Sequence, residues 1–262
     1  MALSVDINCD MGESFGPFRM GEDDTVLESI SSANVACGFH AGDPRVMDHT
    51  VERAVERGVA VGVHPGFPDL VGFGRRDLKV TSLEARTDVL YQIGALDAFC
   101  RRHHTRLSHV KPHGQFNNLA FYDRDLAEAI VAGIADYGEN LIVVAYGGWL
   151  GKAAEAAGLP VAHEVFADRE YQPDGTLISR KQEGAVIRDP KRVIERALAM
   201  VREGRVRAVD GTFVDLQVDT ICVHGDTPGA AALTAQLRKA FTDADIDVVP
   251  MAEVLSRRGQ LA

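Results

Sequence analysis

The chain has few cysteines, and none are paired at metal-binding spacing. Cys9, Cys37, Cys100 and Cys222 form no Cys-x-x-Cys motif. With no short secreted context, this disfavours a zinc knuckle and a disulfide framework. We expect reduced thiols, and buried free cysteine is a commoner role than nucleophile.

An excess of basic residues is also missing. The 262 residues contain 28 Lys and Arg against 38 Asp and Glu, a net charge of −10. Such a chain repels a phosphate backbone and has no basic stripe with which to release counterions. Nucleic acid is therefore not an expected partner.

No hydrophobic run has the length of a membrane span. The longest apolar stretch, around residues 141–151, is short and interrupted by glycines. The N-terminal residues lack the basic and apolar regions of a signal peptide. We expect no membrane association and a cytoplasmic location.

Familiar nucleotide-binding loops are absent as well. GFGRRD has Asp77 where the dinucleotide fingerprint needs its third glycine, and YGGWLGKA departs from the phosphate-loop pattern at Tyr146 and Ala153. The chain therefore has no recognisable ATP cradle of its own.

Strand-length apolar runs alternate with amphipathic helical patterns along the whole chain. This alternation predicts a mainly parallel sheet in the α/β class. We expect one domain over residues 1–262, a single (β/α) barrel of seven or eight mostly parallel strands. The strands are predicted near 3–8, 33–37, 59–63, 107–111, 141–146, 160–166, 219–223 and 246–249, and the clearest helices near 43–57, 82–103, 123–137, 190–203 and 228–241.

Local signals refine this pattern. Asp43 and Ser82 are predicted helix N-caps, with Pro44 in the first helical position. Two stretches break the rhythm, 65–81 and 168–188, and the first is predicted to be a loop over the site because it is rich in Gly, Pro and Arg and follows a strand end.

Polar side chains recur where the predicted strands end. The carboxyl ends of barrel strands open onto one face, so residues from distant parts of the chain can converge there on one enzyme site. The predicted catalytic residues are Asp10, His40, His64, Lys111, His113 and His224. The predicted substrate-binding residues are Asn8, Arg75, Glu164, Asp168 and Asp226.

These residue types fit acid–base, anion-binding or metal chemistry. Imidazoles move protons near neutral pH, and His224 with Asp226 resembles a base with its orienting carboxylate. Lys111 suits either an anionic substrate group or a salt bridge to an acid on a neighbouring strand. Asp10, His40 and His64 together would suit a divalent metal ion.

Six motifs in order resemble the LamB/YcsF family: DINCDMGESFG, ANVACGFHAGDP, HPGFPDLVGFGRR, VKPHG, EVFADREYQPDG and ICVHGD. The resemblance runs from about residue 5 to about residue 245. It implies a barrel related to the polysaccharide deacetylases and a place in ATP-dependent 5-oxoprolinase. That complex, with partner subunits B and C, opens 5-oxoproline to glutamate while ATP is hydrolysed to ADP and phosphate.

Three functions are compatible with these residues and with the resemblance. In the first, ATP, with its Mg²⁺, activates the lactam carbonyl of 5-oxoproline, and Asp10 or an imidazole assists water attack. In the second, the chain is a metal-dependent deacetylase of an N-acetylated sugar, with Zn²⁺ on Asp10, His40 and His64. In the third, the chain binds 5-oxoproline without catalysis and presents it to its partners.

Overall fold

Parallel strands close into a barrel in the computed structural model, which describes residues 3–138, 140–179, 182–223 and 229–261. Within this part of the chain, seven strands pair in the order β1-β2-β3-β4-β5-β6-β9, and β9 pairs back onto β1. This confirms the predicted barrel. Its strands are β1 (Leu3–Met11), β2 (Ser32–Ala36), β3 (Ala60–His64), β4 (Leu107–Val110), β5 (Ile142–Ala145), β6 (Val161–Val165) and β9 (Thr220–Val223).

Three short strands lie outside this ring. β10 (Ile246–Val248) extends the sheet by pairing with Leu3–Val5 of β1, on the edge that β9 occupies further along β1. β7 (Arg205–Arg207) and β8 (Phe213–Asp215) form a separate antiparallel hairpin that the sequence patterns did not predict.

Helices occupy most of the connections between the strands. Those predicted from periodicity are α2 (Pro44–Glu56), α3 (Ser82–Arg102), α5 (Arg124–Asp136), α7 (Pro190–Glu203) and α8 (Ala230–Asp243). The shorter α1 (Asp23–Val26), α4 (Gly114–Tyr122), α6 (Gly148–Ala156) and α9 (Met251–Arg257) were not predicted. Short helices give too few turns for a reliable periodic signal.

The predicted caps are half correct. The Asp43 side chain accepts hydrogen bonds from the backbone N–H groups of Arg45 and Val46, so this cap is confirmed. The Ser82 prediction is wrong by one residue, because Thr81 has the extended backbone of an N-cap. Thr81 and Glu84 form a reciprocal capping box.

The two faces of a barrel strand carry side chains that pack in different places. Outward residues such as Ile7, Val63 and Val143 join the large apolar core under the helices. A second apolar cluster contains Ile142, Val144 and Ala162 with Met251 and Leu255 of α9, close to where β5 and β6 begin. No helix among the described residues combines the length and apolar character needed to cross a membrane.

Candidate functional site

The interior of the barrel is mostly polar. Side chains alternate between the two faces of a strand, so β1 directs Asp6, Asn8 and Asp10 to one face while Ile7 and Cys9 join the outer core. Hydrogen bonds across the barrel connect this face with other strands. The side chains in this network include Asp6, Asn8, Asp10, Ser32, Asn34, His109, Lys111, Glu164, Thr220 and Cys222.

Lys111 lies at the centre of this network, directly after β4. Its Nζ is 2.9 Å from Asp10 Oδ1, 2.9 Å from Glu164 Oε1 and 3.1 Å from Asn8 Oδ1. Burial on its own lowers the pKa of Lys111, but the adjacent carboxylates of Asp10 and Glu164 raise it well above its usual value. Lys111 is therefore a fixed buried cation at neutral pH.

Asn8 is a support for this cation. Its Nδ2 donates to Glu164 Oε1 and Thr220 Oγ1, and its Oδ1 accepts from Asn34 and Lys111. All four hydrogen-bonding positions of the amide are thus occupied by protein groups. The amide of Asn8, which was predicted to bind substrate, thus contacts Glu164, Thr220, Asn34 and Lys111.

Three histidines and a glutamate meet beside Lys111, each from a different strand end. Glu13 follows β1, His40 follows β2, His64 ends β3 and His113 follows β4, and all four are buried. Glu13 Oε1 is 3.5 Å from His40 Nε2 and 3.6 Å from His113 Nδ1, while His113 Nδ1 is 2.9 Å from His64 Nε2.

Burial keeps two of these imidazoles uncharged. It lowers the pKa of His113 to about 3 and that of His40 well below its usual value, and the neighbouring histidines lower the pKa of each further. Neutral imidazole nitrogens and carboxylates are among the protein groups that bind divalent transition metals. These four residues form a cluster that could hold such an ion, since one ligand atom from each lies within 4.8 Å of the others.

The composition of this cluster differs from the predicted metal set. His40 and His64 belong to it, but Glu13 and His113 complete it where Asp10 was expected. Asp10 Oδ2 lies 3.4 Å from His64 Nε2, at the edge of the cluster, while Asp10 Oδ1 accepts hydrogen bonds from Lys111 and Asn34. The strand period places Asp10 on the correct face, but the neighbours that would engage it could not be read from the sequence.

A cavity of about 440 Å³ opens above the network. Its size suits a small molecule. Residues 65–81 contribute Arg75 to its wall, in agreement with the loop predicted over the site. Residues 168–188 contribute Arg169 and Ile178. The cavity is lined by Asp10, His64, Arg75, Lys111, His113, Tyr146, Glu164 and Arg169, together with further polar and apolar side chains.

Glu164, which lines this cavity, has one oxygen with unmet hydrogen-bonding capacity. Its Oε1 accepts from Asn8 and Lys111, whereas its buried Oε2 has no hydrogen-bond partner among the described residues. A buried carboxylate oxygen without a donor is costly. Glu164 is thus prepared to accept a hydrogen bond from a ligand N–H.

The remaining predicted residues lie elsewhere. Asp168 lines a different, mainly apolar cavity of about 320 Å³ between α7 and α8. His224 and Asp226 lie outside the described residues. Arg76, the neighbour of Arg75, pairs with Asp69. The four cysteines are free and buried, and burial raises the pKa of Cys222 well above its usual value, so it remains a thiol.

Sequence reasoning missed several polar residues of the site. Glu13 was not among the predicted site residues, although it follows β1 as His40 follows β2. Tyr146 directly follows β5 and could have been found by the same rule of strand ends. Asn34 and His109 lie inside apolar strands, where a single polar residue carries no clear signal. His109 Nε2 donates to Asn34 Oδ1 at 2.8 Å, and burial lowers the pKa of His109 to about 3.

Comparison with known proteins identifies close relatives over the whole length of the chain. The sequence is 51% identical to the 5-oxoprolinase A subunit of Pyrococcus horikoshii, covering 97% of this chain and 100% of the relative. It is 51% identical to the 5-oxoprolinase A subunit of Methylococcus capsulatus, covering 98% and 99% of the two chains.

Solved structures agree with this relationship. The crystal structure of a lactam utilization protein from Thermus thermophilus superimposes with a TM-score of 0.91 at 44% identity, covering 94% of this chain and 99% of that one. A deacetylase determined with its substrate superimposes with a TM-score of 0.51 at 16% identity, covering 98% and 92%, which shows a shared fold alone. The LamB/YcsF family model matches residues 5–256, and the chain belongs to the LamB/YcsF family.

Proposed function

We propose that this chain is the A subunit of an ATP-dependent 5-oxoprolinase, a single catalytic barrel domain that opens the lactam of 5-oxoproline to glutamate. The observation that carries the proposal is the full-length similarity, at about half identity, to proteins named as 5-oxoprolinase A subunits. The polar cavity gives it a chemical basis. The likeness to a deacetylase at 16% identity does not extend to function, so the deacetylase alternative is not adopted.

The cavity offers complementary groups for a small lactam acid. A lactam has one ring N–H, and Glu164 Oε2 is a buried acceptor in need of a donor. The carboxylate of 5-oxoproline requires a cation, and Arg75 lines the same cavity. Glu164 would recognise the ring nitrogen and Arg75 the acid group, so that the carbonyl carbon is held near Asp10 and Lys111.

The residues around this carbon suit the steps of an activated hydrolysis. Transfer of the γ-phosphoryl group of ATP to the lactam oxygen makes the carbon electrophilic, and water then adds with Asp10 as general base. The C–N bond breaks as the ring nitrogen takes a proton, for which we propose His224, and this leaves γ-glutamyl phosphate and ADP. A second water then releases phosphate and gives glutamate. Lys111, a permanent cation, would stabilise the negative charge that develops on oxygen.

ATP and its Mg²⁺ are proposed to act in a complex with partner subunits B and C. The sequence has no familiar phosphate-binding loop, and the relatives are named as one lettered component of an enzyme. We therefore propose that the isolated chain binds 5-oxoproline but does not turn it over.

Reconstitution tests this assignment. The isolated chain should bind 5-oxoproline in calorimetry and release no glutamate with ATP, whereas addition of subunits B and C should produce glutamate and ADP together. Glutamate release by the chain alone would contradict the division of labour.

Variants distinguish catalysis from presentation. Glu164→Gln should weaken 5-oxoproline binding about tenfold or more, while the exposed Glu155→Gln should not change it.

His64→Ala should lower turnover of the complex at least about a hundredfold, and circular dichroism should show that the variant is folded. Normal turnover with His64→Ala and Lys111→Ala would favour the non-catalytic binding role.

A further inference from the structure

The histidine cluster has a geometry that lactam recognition does not require. Glu13, His40, His64 and His113 come from four consecutive barrel strands, and their relative exposures are 8%, 1%, 1% and 4%. Four potential ligand atoms thus converge in a space that is almost closed to solvent, within 4.8 Å of one another. Burying so many polar groups is costly unless something binds them.

Backbone carbonyls determine which nitrogen of two rings faces the centre. His64 Nδ1 lies 2.6 Å from the carbonyl oxygen of Lys111, and His113 Nε2 lies 2.9 Å from that of Phe73. A carbonyl oxygen only accepts, so each of these nitrogens carries its ring proton. The opposite nitrogens, His64 Nε2 and His113 Nδ1, therefore direct their lone pairs inward.

These two lone pairs lie too close to be left facing each other. The nitrogens are 2.9 Å apart, so a positive species has to lie between or beside them. His40 adds a third imidazole whose two nitrogens have no hydrogen-bond partner among the described residues. Its ring stacks on that of His113 at 3.7 Å between centroids, and its Nε2 is 3.5 Å from Glu13 Oε1.

Three separations within the cluster are close to those around a tetrahedral ion. An ion about 2.0–2.1 Å from each ligand keeps neighbouring ligand atoms about 3.3 Å apart. The distances of 2.9, 3.5 and 3.6 Å between cluster atoms lie on both sides of this value. The carbonyl contacts of His64 and His113 are the outer hydrogen bonds that orient metal-binding imidazoles.

Two glycines make room for the rings. A Cβ at Gly74 would lie 2.8 Å from both His113 Cδ2 and His40 Cβ, and one at Gly66 would lie 2.5 Å from His40 Nδ1. The loop after β3 thus approaches His40 and His113 so closely that it tolerates no side chain at these positions. The arrangement is a built site rather than a chance meeting of surface groups.

We propose that Glu13, His40, His64 and His113 bind one divalent d-block cation, with zinc the best match to three imidazoles and one carboxylate. Mg²⁺ prefers oxygen ligands, so this ion is distinct from the Mg²⁺ that accompanies ATP. The metal site shares His64 and His113 with the lactam cavity, but metal binding can be measured without turnover, so the two proposals can fail separately. Since His64 and His113 also line the cavity, the bound ion would stand at its wall.

Metal titration of the untagged, chelator-treated chain tests the site. Zn²⁺ should bind with a stoichiometry of one per chain in calorimetry, and Co²⁺ should give the visible absorption of a tetrahedral centre, while Mg²⁺ at the same concentration should give neither signal. Zn²⁺ should also raise the thermal midpoint of unfolding, because it binds the folded chain.

Variants locate the ion. His40→Ala and the conservative Glu13→Gln should each weaken Zn²⁺ binding at least about a hundredfold. His103→Ala, which removes a histidine paired with Asp48 outside the barrel, should bind as wild type does. Circular dichroism checks folding, and Glu13→Gln remains decisive if His40→Ala fails to fold. Wild-type affinity in Glu13→Gln, or no Zn²⁺ binding by wild type, would overturn the proposal and leave a shared proton between His64 and His113.

Discussion

Lys111 is the residue whose loss the site should tolerate least. It neutralises the buried carboxylate of Glu164 and the partly buried carboxylate of Asp10, each 2.9 Å from its Nζ. Lys111→Met removes the cation and leaves the buried Glu164 without it, so we expect a loss of about 3–5 kcal/mol in the free energy of unfolding. Urea denaturation measures this loss.

A second lysine provides the matched control. Lys239 pairs with Asp243 one helical turn away on the exposed surface of α8. Lys239→Met should cost less than about 1 kcal/mol, because water already solvates both charges. Similar losses in the two variants would mean that the buried network contributes no more than a surface pair.

Asp6 makes stability depend on pH. Burial raises the pKa of its carboxyl from 3.8 to about 6, although Ser31, Ser32 and Thr220 donate hydrogen bonds to it. The folded chain therefore keeps this proton to a higher pH than the unfolded chain does. The contribution of Asp6 to stability is greatest below about pH 4 and falls by roughly 3 kcal/mol as pH rises through about 6.

Asp6→Asn isolates this contribution, because asparagine does not titrate and has nearly the same volume. Urea unfolding at about pH 4 and about pH 7 should show the variant gaining roughly 3 kcal/mol relative to wild type at the higher pH. An unchanged difference between the two proteins would show that Asp6 titrates alike in the folded and unfolded chains.

At the scale of elements, α3 tests the corrected cap. Thr81→Ala removes the side-chain acceptor for the Glu84 N–H and should cost about 1 kcal/mol. Ser82→Ala, at the first position of the helix, should be close to neutral. Thermal or urea unfolding distinguishes them, and the reverse order would restore Ser82 as the cap.

The His109 ring leaves no room for a side chain at Gly62 of strand β3. A Cβ at Gly62 would lie 2.1 Å from His109 Nε2, inside the barrel. Gly62→Ala should therefore destabilise the chain by about 1–3 kcal/mol or more. Gly94→Ala, in the exposed face of α3 with no atom within 4 Å of the added Cβ, should instead stabilise by up to about 1 kcal/mol. Unfolding free energies compare them, and a mild effect at Gly62 would mean that His109 readily moves.

At the scale of the whole molecule, the C-terminal helix α9 packs against residues of the barrel strands. Met251 and Leu255 are fully buried against Ile142, Val144 and Ala162. Leu255→Ala should cost about 2–5 kcal/mol in urea unfolding, since it leaves a cavity among strand residues. Leu83→Ala, at a position 70% exposed, should change stability by less than about 0.5 kcal/mol. Equal effects would show that α9 packs loosely.

Much of the architecture could be predicted because it depends on local patterns. The alternation of apolar runs and amphipathic helices marks the strands and long helices, and a strand period of two places Asp6, Asn8 and Asp10 on one face. The rule of strand ends brought Asp10, His64, Lys111 and His113 together at one cavity, as the structure does. Short elements such as α9 and β7 escaped because a few residues carry no period.

The sequence by itself determined the barrel, its family and the face on which the polar residues gather, because these follow from periodicity and from motifs in a fixed order. Only the tertiary structure decided which polar groups meet. Glu13 joined the histidine cluster and Asn8 became a support for Lys111 through contacts between strands far apart in sequence. Such contacts depend on side-chain positions that are fixed to within a few tenths of an ångström, and no local sequence pattern encodes those positions.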